Sequence, residues 1–343
     1  SGLDYPVLLL LFFGLFYALG AERKGFAFYD FRTVFLTPAL FYWLVVHGER
    51  AKLNLPGLSD ALVLGSLLIS LIGLAQFTSG GAYFVEGVPR ISALFGSANN
   101  LALYLGRVLP LLLSIVVLGP APRRWLYLLA LIPIAAAAFL TFSKGLILVS
   151  VPASLLLLAI LQPRMRKAVA VLFVVGVLAL LPFLGATRFT DLLNTNSGTT
   201  FLRLQLWRSA WQMFLDQPWL GVGPDNFLYA YRSIYALPVA WEELQLSHPH
   251  NLFLDLLTRT GLFGFLAGIW LLSSTLLHGF RSLRQYPLPN TQYPYFLGLL
   301  VGLTAGLFHG LIDNSIFLVD LAILTYLAIA VVERLRRERA TAS

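Results

Sequence analysis

The residues of this chain best suited to chemistry are His250 and a dispersed set of cations. Ser247-His248-Pro249-His250-Asn251 immediately precedes a long apolar run, which puts His250 at a helix start near a membrane interface. Histidine is the side chain best poised for proton transfer near neutral pH. A lone histidine is more often structural, but His250 shares its side of the chain with Arg90, Arg107, Lys144, Arg203, Arg208, Arg232 and Arg259. Asn99, Asn100, Asn251 and Asp255 complete that set. Fixed cations of this kind suit a phosphate or diphosphate, because Arg offers a two-pronged donor and keeps its charge. For Arg208 and Arg232 the competing reading, a side chain snorkelling to lipid headgroups, carries equal weight. Lys144 sits between two apolar runs, which favours a site. His309 and Asp313 are four apart and are expected on one helical face, bonded to each other as a packing pair. A role in the site comes second for both. His47 and His278 fall at helix ends and read as interfacial.

What is missing narrows the chemistry. The outer loops hold no Asp-x-Asp pair, no His/Glu/Asp set at metal-ligand spacing, no glycine-rich phosphate loop and no serine nucleophile elbow. The expectation is therefore no metal and no cofactor, with metal-dependent transfer and nucleotide hydrolysis both disfavoured. The absence of Cys removes disulfides and thiolate chemistry and fits either redox compartment.

Those residues need elements to position them, and composition says what kind. Hydrophobic residues make up 58% and charged residues 12% of the 343, against roughly 25% charged in soluble domains. With a mean hydropathy of +0.78, water is not the main solvent. A spanning helix takes about 20 apolar residues, and suitable runs recur at 5–20, 31–47, 59–78, 99–118, 125–142, 146–161, 168–184, 252–277, 295–317 and 321–332. The expected fold is an all-α polytopic membrane protein of about ten spans.

The +8 net charge is scattered between these runs, a pattern of topology rather than of nucleic-acid binding. With Arg334, Arg336, Arg337 and Arg339 in the cytoplasm, alternation places Arg50 and Lys52, Arg123 and Arg124, Arg164, Arg166 and Lys167, and Arg281 and Arg284 on that side too. Arg23 and Lys24 fall on the other side, against the trend. The expected organisation is spans over 1–184, one large outer loop over 185–250, and spans with a basic tail over 251–343. That loop holds Trp207, Trp211, Trp219 and Trp241, too much apolar mass for disorder. Leu204, Trp207, Trp211 and Leu215 at helical spacing predict an amphipathic helix over 200–215, lying on or near the membrane surface. Arg203 on it is expected to turn toward His250. The opening Ser-Gly without Met reads as a cloning remnant, so the span count is a lower bound. No repeat links the halves, and the polar residues crowd the outer side instead of the midplane where a transporter would place them.

These features resemble the O-antigen ligase and polymerase superfamily of bacterial inner-membrane glycosyltransferases. His250-Asn251, nine residues, then Gly261-Leu262-Phe263-Gly264 is similar to the ligase pattern of His-Asn, nine residues, Gly-x-x-Gly. Arg90 with Phe95-Gly96-Ser97-Ala98-Asn99-Asn100, Thr141-Phe142-Ser143-Lys144-Gly145, and Arg203 with Trp207 leading to Pro218-Trp219-Leu220-Gly221-Val222-Gly223-Pro224 also look familial. The resemblance spans roughly residues 90 to 264. Two departures stand out: Lys144 where the family often has Arg, and about ten spans where it has about twelve.

The resemblance implies a GT-C-like fold and an active site facing the periplasm. It implies metal-free, inverting transfer of a glycan from an undecaprenyl-diphosphate carrier to an acceptor hydroxyl. By the same token His250 would be the general base on the acceptor, while Arg90, Lys144 and Arg203 would bind the diphosphate. Asn99, Asn100, Asn251, Arg107, Arg208, Asp313 and His309 would bind substrate. The expected partners are the lipid-linked donor, membrane lipid and an acceptor that is lipid A core (ligase, favoured by the His-Asn pattern), a growing glycan (polymerase) or a protein hydroxyl.

Overall fold

Long apolar runs satisfy their backbone groups within helices, and the computed structural model is accordingly almost wholly helical. It describes residues 2–48, 53–192, 194–285 and 291–340, so Arg50 and Lys52 lie outside it. In chain order come α1 (Asp4–Gly20), then α2 (Lys24–Asp30) and α3 (Thr37–His47) joined by the wider turn Phe31–Leu36. α4 (Leu55–Thr78) is followed by a hairpin, β1 (Tyr83–Val85) and β2 (Val88–Arg90). Next are α5 (Ala98–Leu118), α6 (Ala121–Leu140), α7 (Val151–Leu161), α8 (Arg166–Leu180) and the short α9 (Thr187–Thr190). α10 (Gly198–Asp216), the short α11 (Phe227–Ala230), α12 (Leu252–Gln285), α13 (Tyr293–His309) and α14 (Val319–Ala340) complete the chain. Among the described residues five helices, α4, α5, α6, the stretch around α8, and α12, are long and apolar enough to cross a membrane, and shorter apolar helices occur as well.

The surface is that of a lipid-facing protein. Trp125, Leu126, Leu129 and Ile132 on α6 and Val171, Phe173, Val174, Val175 and Leu178 on α8 are exposed. Contiguous apolar surface of this extent is foreign to a water-soluble monomer and suits helices bathed in hydrocarbon.

The chain divides into two compact units. The first comprises residues 1–51, 193–282 and 310–343. Within it α14 packs on α3, and Leu206, Ala210 and Met213 of α10 form a small core with Phe227 and Tyr231. The Pro218–Gly223 turn docks on α12, where Val222 N–H donates to Thr258 O at 2.7 Å and Leu262 N–H to Pro218 O at 2.8 Å. Gly221 and Gly261 both take positive φ there, and a Cβ on either would collide with main-chain atoms of the other segment. The expected basic tail is a helix: Glu333, fully buried, pairs with Arg336 and Arg337, and Arg337 also reaches Asp4.

The second unit comprises residues 52–192 and 283–309. Its central helix α5 is buried nearly all round. Gly298 and Gly302 of α13 let that helix lie directly on the α5 backbone at Leu111 and Arg107, and Gly306, four residues further on, lies against the Arg107 side chain, the small-residue packing that membranes favour.

Two expectations on element type need correction. The all-α expectation omitted the hairpin, whose Glu86-Gly87 turn takes φ of 51° and 78°. A two-residue turn with both central φ positive matches the twist of paired strands. The expected span 295–317 ends at His309, and residues 310–318 form a loop. The Asp313-Asn314-Ser315 run breaks the helix because its side chains bond local backbone: Asn314 Oδ1 accepts from Phe317 N–H at 3.0 Å. The polar interruption was masked in hydropathy by Ile316, Phe317 and Leu318.

Candidate functional site

In the first unit the loop 310–318 and the start of α12 are fastened together. Asn251 is the cap of α12: its Oδ1 accepts from Phe253 N–H at 3.0 Å and Leu254 N–H at 3.1 Å, while its Nδ2 donates to Leu311 O at 2.9 Å. Leu252 N–H donates to Gly310 O at 2.7 Å. These bonds set Asp313 beside His250, with 2.8 Å between Asp313 Oδ1 and His250 Nδ1. Asn314 N–H donates to the same oxygen at 2.9 Å. The expected His309–Asp313 pair is therefore not what forms. Once the helix ends at His309 the four-residue spacing no longer defines a face, and His309 packs instead against Gly145 in the second unit, where any larger residue would strike its ring.

His250 has φ of 48°, a conformation that non-glycine residues adopt rarely and often at functional sites. His248 lies across from it, ring centroids 4.5 Å apart, with Nε2 3.8 Å from Asp313 Oδ1 and Nδ1 3.1 Å from Ser247 Oγ. The ligating atoms of His248, His250 and Asp313 all lie within 4.8 Å of one another. The sequence shows no such set, because Asp313 comes from 63 residues away.

Asp313 is buried, which by itself would raise its pKa. The His250 charge, bonds from His248 and His250, and the Arg203 charge override that and hold the carboxyl well below the usual carboxylate range. Asp313 is thus an anion that orients an imidazole, as a carboxylate does for a basic histidine. The His248 pKa is lowered by burial first and by His250 second.

α10 runs over Gly198–Asp216, close to the expected 200–215. Its buried face is Leu206, Ala210 and Met213, so Trp211 and Leu215 of the expected stripe point outward. That is the arrangement of a helix whose second face meets another apolar phase. Arg203 is half-buried and its charge reaches Asp313; Arg208 is exposed and donates to Gln205 Oε1 at 3.1 Å. Deeper in this unit Arg259 binds Asp255 at 2.8 Å and also Asp30, while lying 4.9 Å over the Phe317 ring.

The second unit assembles a separate cationic cluster. Arg90, at the end of β2, is buried and donates through Nε to Thr141 O and through Nη2 to Asn99 Oδ1, both at 2.6 Å. Lys144 is 5% exposed and lies 3.2 Å from Glu86 Oε2. Arg188 donates to that same oxygen at 2.8 Å and to Phe142 O at 2.5 Å. Two arginines thus grip consecutive carbonyls of the Thr141–Lys144 turn, where Phe142 has φ of 44°. Asn100 sits in the first turn of α5, its N–H accepted by Ser97 Oγ at 3.1 Å. Arg107 is buried along α5 against the α13 glycines.

Sequence reasoning missed Glu86 and Arg188. The signals were there: Glu86-Gly87 between two short β-prone runs is a hairpin pattern, and Arg188, like Lys144, is a cation at the end of an apolar run.

Residues 127–269 match the family model described as O-Antigen ligase. That stretch contains Lys144, Arg203 and His250 and bears out the resemblance to the O-antigen ligase and polymerase superfamily. None of the curated proteins matches the chain.

Proposed function

With an O-antigen ligase segment at residues 127–269 as the premise, we propose that this protein is a multi-pass inner-membrane enzyme. It transfers a glycan from undecaprenyl diphosphate to an acceptor hydroxyl at the periplasmic face, with inversion at the anomeric carbon. The observation that carries the reading is His250, inside the matched segment and held by the buried Asp313 carboxylate through Nδ1 at 2.8 Å.

With Nδ1–H donated to Asp313, the His250 lone pair resides on Nε2 and accepts the acceptor's proton as its oxygen bonds the anomeric carbon. The bond from that carbon to the diphosphate breaks, and its electron pair leaves with undecaprenyl diphosphate. Asp313 stabilises the imidazolium that results. Proton transfer by a positioned base contributes roughly 10²–10⁴-fold. Arg203, Lys144 and Arg90 bind the diphosphate and offset the charge that grows on it.

Asn99 and Asn251 act by positioning, the first on Arg90 and the second on the helix start beside His250. Asn100, Arg107, Arg208 and His309 remain proposed contacts of the substrate or its lipid surroundings. An apolar cavity of about 360 Å³ in the second unit, lined among others by Leu109, Leu113, Phe139, Ile147, Leu172 and Leu180, suits a stretch of prenyl chain. The scheme needs neither metal nor nucleotide.

The test is transfer by purified protein in lipid, given a lipid-diphosphate glycan and, in turn, lipid A core, a free glycan chain and an acceptor protein, with a chelator present. Transfer to lipid A core is expected. No transfer to any acceptor, from a donor that the protein demonstrably binds, overturns the reading.

A further inference from the structure

We propose that His248, His250 and Asp313 form a binding site for a borderline-soft divalent cation such as Zn²⁺, and that filling it switches the transfer reaction off. The inhibitory half rests on the reading of His250 as the base; the binding half does not.

Two imidazole nitrogens and one carboxylate oxygen lie within 4.8 Å of one another. Bonds of about 2.0–2.2 Å to a tetrahedral ion place ligand atoms roughly 3.4 Å apart. The 2.8 Å and 3.8 Å separations of the two histidines from Asp313 Oδ1 bracket that value, so small side-chain rotations suffice. Two of the three ligands, His248 and Asp313, also have the outer partner that metal ligands usually keep. Ser247 Oγ lies 3.1 Å from His248 Nδ1, which turns Nε2 toward Asp313. Asn314 N–H steadies the carboxylate at 2.9 Å. The His248 and His250 side chains are 18% and 19% exposed, so an ion can enter from solvent. Two nitrogens and one oxygen select Zn²⁺, Co²⁺, Ni²⁺ or Cu²⁺ over Mg²⁺, which requires oxygen. The Arg203 charge that acts on Asp313 moderates the affinity.

Inhibition follows from the tautomer. The ion binds His250 at Nδ1, the atom that otherwise carries the proton given to Asp313. That proton moves to Nε2, and the ring, now a metal ligand with Nε2–H, has no lone pair for an acceptor hydroxyl. No net proton is released or taken up, and nothing is oxidised or reduced. His248 supplies one ligand but no step of the transfer, so the two functions separate by mutation.

The experiment uses the full chain without a polyhistidine tag, stripped of metal, in lipid or detergent. Co²⁺ is titrated while the visible absorption of nitrogen- and oxygen-ligated Co²⁺ is read. One equivalent should bind, and His248→Ala and His248→Gln should each weaken binding at least ~10-fold. In the transfer assay Zn²⁺ should suppress the wild type and a chelator should restore it. The His248 variants should keep their turnover and need at least ~10-fold more Zn²⁺ for the same suppression. Absence of a Co²⁺ spectrum in the wild type, or equal Co²⁺ affinity in both His248 variants, overturns the site. A full Co²⁺ spectrum with Zn²⁺-insensitive transfer overturns the switch. If no transfer occurs with any acceptor, the function has failed and the Co²⁺ titration still decides the site.

Discussion

At the scale of residues, His250 and Asp313 should behave as one unit and His248 as their neighbour. His250→Ala is expected to lose about two to four decades of transfer rate with donor binding almost intact, since the imidazole acts on the acceptor. Asp313→Asn should lose rate in the same range, because the amide can no longer fix the tautomer or stabilise the imidazolium. His248→Ala should keep most of the activity. Near-normal turnover in His250→Ala with a dead His248→Ala would remove His250 as base. Asp313 also makes a pH prediction. Its carboxyl is held below the ordinary value of about 3.9, so its ionised form stabilises the fold. That contribution is fully present above pH ~4 and is lost as pH falls through the depressed folded value. Unfolding below about pH 4 should therefore be shallower in Asp313→Asn than in the wild type, and an identical acid limb would contradict the assignment. In the second unit, Lys144→Ala should lower donor affinity and rate together, because the charge acts in ground and transition states alike. Glu86→Gln leaves Lys144 and Arg188 without their shared carboxylate. The cost should fall below the roughly 3–5 kcal/mol of a fully buried pair, since the Glu86 side chain keeps 21% exposure. Thermal unfolding should show that loss and should show none in exposed Glu22→Gln.

Elements show what could be read in advance and what could not. Nine of the ten apolar runs are helical over nearly their whole length, because a run of lipid-compatible residues has few other ways to satisfy its backbone, but helix continues past three of them, back to Lys24, on to Gln285 and on to Ala340. The tenth, 295–317, failed past His309. Hydropathy counts apolar atoms without regard to what they meet, and in the 310–318 loop Ile316 and Phe317 are apolar because they are buried in protein. That error hid the role of Asp313, which was placed among substrate contacts and proves to be the partner of His250. The glycine pattern after His250-Asn251 was visible as a motif, but its reason was not. Gly261 breaks α12 at φ of 54°, and the Pro218–Gly223 turn rests in the break. Gly261→Ala and Gly221→Ala should each cost more than the roughly 1–2 kcal/mol of a left-handed non-glycine residue, because a Cβ also strikes backbone. Both should lower thermal stability, whereas Gly176→Ala, with open space around it in α8, should not. Equal melting temperatures for all three would mean the docking seen here is not tight.

For the whole molecule, the face that each loop meets follows from charge and apolar surface together. The exposed apolar belts on α6 and α8 suit helices that lie in hydrocarbon, and the positive-inside rule assigns the ends with basic loops to the inside. The Arg123–Asp60 ion pair does not weaken that reading, because both side chains are about half exposed and an exposed pair contributes little. Within the second unit, Arg124 at the start of α6 and Lys144 beyond its end should face opposite sides of the membrane. Within the first, His250 before α12 and Arg281 near its end should do the same. The chain contains no Cys, so single cysteines beside each of these four positions can be labelled cleanly with a membrane-impermeant thiol reagent. Sites beside Lys144 and His250 should react from the periplasmic side of intact cells, and sites beside Arg124 and Arg281 only after permeabilisation. Labelling beside Lys144 and Arg124 from the same side would mean that α6 does not cross. If that side is the cytoplasm, the diphosphate ligand proposed for Lys144 has no place on the outer face, although the His250–Asp313 pair would keep its chemistry.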